Sequence, residues 1–228
     1  MSTFLITGAT RGIGRAVAEQ LRDARLLLAA RPSAALDALA AELPDAVAVP
    51  LDLSDPDGLA ASIEAAGGVP ERVDGVVHSA GILVRGRIAD MTPAGWREQL
   101  LVNVVAVAEL TRLALPGLRA AQGTVVMVNS GAGRRPPGPG GVAYALSKHA
   151  LAALADGLRE EEPALRVTTI FPGRTATDMQ RELRADEGGD YDEAQYLTPD
   201  AVADLIVQVL RLQPGATIPD VAIMPKPS

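Results

Sequence analysis

Seven short apolar runs, near residues 3–7, 25–30, 46–50, 73–78, 123–129, 165–171 and 218–223, alternate with longer stretches whose apolar residues recur at helical spacing. Strand and helix in regular succession imply an α/β fold with a parallel, doubly wound sheet. Helix starts are marked by Ser54-Asp55-Pro56, Thr92-Pro93 and Thr198-Pro199, where a capping oxygen or a proline in the first turn is well tolerated. The run Arg134-Arg135-Pro136-Pro137-Gly138-Pro139-Gly140-Gly141 fits neither period and reads as a loop. A helix is predicted from Val142 to Leu158, apolar around more of its axis than one core-facing stripe requires, and the stretch holding Val102, Val104, Val105, Val107, Leu110 and Leu113 is similar.

Within this pattern two clusters point to chemistry. The first run, Thr3 to Thr7, leads into Gly8-Ala9-Thr10-Arg11-Gly12-Ile13-Gly14 and then a helical stretch from Arg15 to Leu21. A strand, a glycine turn and a helix in that order bring backbone N–H groups at a helix N-terminus close to a pyrophosphate, an approach a Cβ would obstruct and the helix dipole favours. In the second, Tyr144 and Lys148 stand four residues apart, so a helix turns both side chains to one face, about 40° apart. An ammonium beside a phenol favours the phenolate and moves the tyrosine toward acid–base work.

Taken together, Thr7-Gly8-Ala9-Thr10-Arg11-Gly12-Ile13-Gly14 and Tyr144-x-x-x-Lys148 resemble the classical short-chain dehydrogenase/reductase family. The resemblance covers nearly the whole chain, with Asp52-Leu53, His78-Ser79-Ala80-Gly81, Asn103, Ser130 and Pro172-Gly173 following in the family's order. It implies a Rossmann-type sheet of strand order 3-2-1-4-5-6-7, which periodicity alone does not supply.

The resemblance also implies roles. Tyr144 exchanges a proton with the oxygen of a carbonyl or alcohol substrate, Lys148 lowers the tyrosine pKa and bonds the nicotinamide ribose, Ser130 bonds the same oxygen, and Asn103 holds a water linking Lys148 to solvent. Gly8, Thr10, Arg11, Gly12, Ile13 and Gly14 cradle the cofactor phosphates. Asp52 and Leu53 contact adenine, Ser79, Ala80 and Gly81 line the trough, and Pro172, Gly173, Thr175 and Thr177 meet the nicotinamide. The carboxylate that would bind a ribose 2′-hydroxyl is absent after the second run, where Arg31 stands instead; with Arg11 it points to NADP(H). His78 replaces the commoner asparagine at the start of its motif and is read as a hydrogen-bonded core histidine rather than a proton carrier. The two apolar helices correspond to the family's usual subunit interface, so a homodimer or homotetramer is expected.

Composition narrows the field. The chain of 228 residues reads as a single domain, residues 1–228, because the motifs run through it without a break. Its apolar runs are shorter than a membrane span and its start lacks a signal-peptide pattern, so a cytoplasmic protein without a membrane partner is expected. A net charge of −7 and few aromatic residues argue against a nucleic-acid surface. With no cysteine and only His78 and His149 as imidazoles, thiol catalysis is excluded and no metal centre is expected.

Three readings then remain: an NADPH-dependent carbonyl reductase or alcohol dehydrogenase, an NADP-linked epimerase using the same tyrosine and lysine, and a non-catalytic NADPH-binding regulator. The loop from Arg134 to Gly141 and the acidic segment 174–197, with Gly188-Gly189 as a candidate hinge, flank the expected site. The acidic segment is read as a solvated helix and mobile loop.

Overall fold

The structure, a computed structural model, describes residues 1–135, 138–213 and 215–226. Pro136 and Pro137 of the expected loop lie outside the described residues. Strands β1 (Thr3–Thr7), β2 (Arg25–Ala30), β3 (Ala46–Pro50), β4 (Gly75–His78), β5 (Thr124–Val128), β6 (Arg166–Pro172) and β7 (Asp220–Ile223) form one parallel sheet in the order β3-β2-β1-β4-β5-β6-β7. They follow the seven apolar runs closely. The differences lie at strand ends, as where Val73 belongs to the core but pairs with Gly117 ahead of β4. The order reverses between β1 and β4, and there the carboxyl ends of the strands open a crevice.

Side chains alternate across each strand, so β1 feeds both layers: Phe4 and Ile6 enter one core, Leu5 the other. On the first side α1 (Gly12–Gln20), α2 (Ala34–Glu42) and α8 (Pro199–Leu210) bring Val17, Leu36 and Ile206 onto the sheet. On the second, α3 (Leu59–Ala65), α5 (Ala106–Ala121) and α6 (Val142–Glu161) bring Leu59, Leu110 and Leu151. The remaining helices, α4 (Pro93–Leu100) and α7 (Asp178–Asp186), flank the crevice. Thr92 and Thr198 cap α4 and α8 as expected, and Asp55 caps a short turn leading into α3.

One continuous helical run, Pro93–Ala121, is long and apolar enough to cross a membrane by length and composition. Its apolar face is spent on the sheet, through Ala106, Val107, Leu110, Ala114 and Leu118. Between α4 and α5 the residues Leu101–Val105 form a wide π turn, which inserts one extra residue and resets the facing of Asn103. The two helices expected to carry excess apolar surface bury most of it within the chain. Val105 and Leu146 remain exposed, each at 45%.

Candidate active site

The turn from β1 into α1 is built by close approach. Gly8 and Gly12 have φ of +67° and +54°, the left-handed region that favours glycine. Gly14 is constrained by space instead: a Cβ there would lie 2.4 Å from the Gly8 carbonyl oxygen and 2.5 Å from Ser79 Oγ. Arg11 precedes α1 in extended backbone and places no side-chain cap on it, so the first-turn N–H groups remain available at the positive end of the helix. These glycines line a cleft of about 1520 Å3 together with Thr10, Arg11 and Ile13. A cradle without side-chain bulk, lined with unspent N–H donors, fits a dinucleotide pyrophosphate.

The rest of the cleft collects the other expected residues. Arg31, Asp52 and Leu53 line it beyond the glycines, Ser79 to Gly81 lie beside them, and Pro172, Gly173, Thr175 and Thr177 face them. Gly12 packs against Thr177, since a Cβ on it would sit 3.2 Å from the threonine methyl. Thr177 caps α7 by accepting from the Gln180 N–H, and the strand-like segment before it is tied to Leu197 by main-chain bonds. Asp52 accepts from the Ser54 N–H and hydroxyl, which hold its carboxyl below the usual carboxylate range.

Ser130, Tyr144 and Lys148 line the same cleft. Helix α6 presents the tyrosine and lysine on one face, the ammonium 5.7 Å from the centre of the phenol ring and donating to the Val128 carbonyl at 3.0 Å. Lys148 is 4% exposed, and burial lowers its pKa to about 8. Burial raises the Tyr144 pKa, and a bond with the Ser130 hydroxyl works the other way. The net direction is opposite to that expected from the lysine alone, because spacing shows proximity and not desolvation. Ser130 Oγ also accepts from the Ala132 N–H at 3.2 Å, so its single O–H is left for the Tyr144 oxygen on the cleft side.

Asn103 is the one expected site residue that does not line the cleft. Its amide accepts from the Ile82 N–H at 2.9 Å and donates to Ile82 O and Ser147 Oγ, each at 3.0 Å. The side chain is thereby committed to Ile82 and Ser147, with one acceptor site left on Oδ1.

Arg31 stands at the end of β2 with no carboxylate in ion-pair range among the described residues. Arg11 differs: it pairs with Asp178 at 3.2 Å across the cleft, both side chains more than half exposed. Such a pair contributes about 1 kcal/mol at most, so a phosphate can displace it. In segment 174–197 the arginines engage the acids: Arg174 grips Glu187 through two bonds of 2.7 and 2.9 Å, Arg184 joins them, and Glu187 is held down to about 2, chiefly by the Arg174 bond.

His78 is 2% exposed and its Nε2 lies 2.9 Å from Thr111 Oγ1, away from the cleft. Burial lowers its pKa from 6.5 to about 4. Above pH 6.5 it is neutral folded and unfolded; as pH falls toward 4 only the unfolded state takes up the proton, so stability is lost through that window, by about 3 kcal/mol at most. Urea unfolding at pH 5 and 7 should show this loss in the parent and a smaller one in His78→Asn; equal losses would refute the assignment.

The supporting shell went unrecognised in the sequence. Thr7 Oγ1 accepts from the Ser79 and Ala80 N–H groups, both at 3.1 Å, and Ser79 Oγ donates to Thr7 O. Asn129 donates to the Lys148 carbonyl and accepts from the Ser130 N–H, tying β5 to α6. Their only signal is position, each a polar residue at the end of an apolar run.

Comparison with known proteins follows from this geometry. The profile of the short chain dehydrogenase family matches residues 2–188. Dehydrogenase/reductase SDR family member 11 of Bos taurus is 30% identical over 97% of this chain and 94% of its own length. An alcohol dehydrogenase from the archaeon Thermococcus sibiricus, complexed with 5-hydroxy-NADP, superposes with a TM-score of 0.86 at 27% identity, over 98% of this chain and 96% of that one. A 3-oxoacyl-[acyl-carrier protein] reductase from Brucella melitensis with bound NAD gives a TM-score of 0.82 at 30% identity, covering 98% and 89% of the two chains.

Proposed function

The chain belongs to the short chain dehydrogenase family, and on that premise we propose that it is an NADP(H)-dependent oxidoreductase acting on a carbonyl or secondary alcohol. The observation that carries this reading is that Ser130, Tyr144 and Lys148 line the same cleft as the glycine cradle. When bound there, the cofactor supplies or accepts the hydride. The α1 first-turn N–H groups hold its pyrophosphate, and Arg31 binds a 2′-phosphate. The two solved relatives carry different cofactors, so the preference rests on Arg31, which has no ion-paired carboxylate among the described residues, although its charge is felt at Asp52.

Tyr144, whose raised pKa keeps it protonated at neutral pH, gives its proton to the carbonyl oxygen in reduction and takes one back in oxidation. Ser130 turns its O–H from the phenol to the same oxygen and stabilises negative charge there. Lys148, with a pKa near that of a working acid–base group, returns a proton to the tyrosine. The test is consumption of NADPH with a panel of carbonyls, and its formation with the matching alcohols. Inversion without net redox change would favour an epimerase, and binding without turnover a regulator.

The exposed Val105 and Leu146 support self-association through the α5 and α6 side of the molecule. Light scattering at micromolar concentration should return a dimer or tetramer; a strictly monomeric mass would remove that part of the proposal.

A further inference from the structure

Beyond β4 the chain leaves the sheet, and its main chain is held by two side-chain amides instead of a neighbouring strand. Gln99, in the last turn of α4, is fully buried: Oε1 accepts from the Val84 N–H at 2.7 Å and Nε2 donates to Ile82 O at 2.6 Å. Asn103 takes the Ile82 N–H and shares its carbonyl. Leu83 and Arg85, carried by this segment, line the cleft. The segment is also fastened to the loop before α6, through Gly86 N–H to Gly140 O at 3.1 Å and Arg85 to Pro139 O at 3.2 Å. From Asn103 the bonds continue to Ser147 Oγ, which donates to the Tyr144 carbonyl at 2.8 Å. One hydrogen-bonded chain therefore joins the Leu83 wall to the helical turn that presents the tyrosine.

We propose that Gln99 is a positioning residue for the substrate, setting the distance between the Leu83–Arg85 wall and Tyr144. The inference rests on the oxidoreductase reading above. Among the described residues Gln99 is the one partner of the Val84 N–H, whereas Ile82 keeps Asn103 when Gln99 is removed. Its loss therefore loosens the wall at Leu83 while Ser79 and Ala80 stay braced by Thr7. Substrate pose suffers and cofactor binding does not. A misplacement of about 1 Å costs up to about a hundredfold in rate.

Gln99→Met removes both bonds at similar volume, and Gln99→Glu keeps the acceptor for Val84 but loses the donor to Ile82. In Gln99→Met kcat/KM for a prochiral ketone should fall about tenfold, mostly through kcat, and the enantiomeric excess of its product should fall, while NADPH affinity, read by fluorescence titration, stays within about twofold. Gln99→Glu should recover part of the selectivity. Amide hydrogen exchange across residues 82–86, followed by mass spectrometry, should quicken in Gln99→Met. Should that variant fail to fold, Leu83→Ala, which disturbs no buried polar group, should lower kcat/KM and selectivity in the same way at parental Tm. Unchanged exchange overturns the inference by itself; so does unchanged selectivity in a folded Gln99→Met, or NADPH affinity that falls in step with turnover. A parent that reduces no carbonyl overturns the oxidoreductase reading instead, and the exchange comparison still decides whether Gln99 holds the wall.

Discussion

Tyr144→Phe should fold, bind NADPH as the parent does and lose carbonyl reduction by about a hundredfold to ten-thousandfold, the range a positioned general acid contributes. The ring and its contacts with the Lys148 ammonium are retained; what disappears is the transferable proton, with the Ser130 interaction that opposes the desolvated phenol. Because α6 is anchored by Asn129 at the Lys148 carbonyl and by Asn103 at Ser147 rather than by the phenol, the deletion leaves the backbone in place. Ser130→Ala should cost less, since Tyr144 still delivers the proton. Steady-state rates on a ketone the parent accepts, with NADPH affinity by fluorescence titration, separate these effects. Parental turnover in Tyr144→Phe would end the mechanism.

Arg31→Asp should weaken NADPH binding by about tenfold to a hundredfold, as expected for unmaking charge-assisted bonds and placing a carboxylate against a phosphate. NADH binding should improve, because an acid at the end of β2 can accept from a ribose 2′-hydroxyl. Arg11→Ala should have the smaller effect: its guanidinium is already shared with Asp178, so part of what a phosphate gains there is offset by the pair it displaces. Calorimetric titration of both cofactors at matched salt checks the order. Equal affinity of the parent for NADPH and NADH would overturn the cofactor assignment.

Much of this site was legible in the sequence because its demands are local. A glycine turn between strand and helix, a tyrosine one helical turn from a lysine and an arginine after an apolar run each declare themselves within a few residues. The strand order came from resemblance, since periodicity says which segments are strands and not which are neighbours. The direction of the Tyr144 shift depends on burial by segments far along the chain, and no spacing rule carries it. Asn103 was recognised, but the π turn that faces its amide toward Ile82 leaves no pattern in residue types. Gln99 was passed over because a lone glutamine on a helix reads as surface until its surroundings are known.

The bonds of Thr7 to Ser79 and Ala80 join segments 72 and 73 residues apart. A chain emerging from the ribosome carries the glycine turn long before it carries β4, so the cradle is unfinished through the early part of synthesis. Contacts of such separation close late in folding, after their loop entropy has been met. A nucleotide that needs the completed cradle gains no hold on partly folded chains and stabilises only those that have brought β1 and β4 together. On the function proposed above, cofactor supply in the cell becomes a factor in how many newly made copies escape proteolysis.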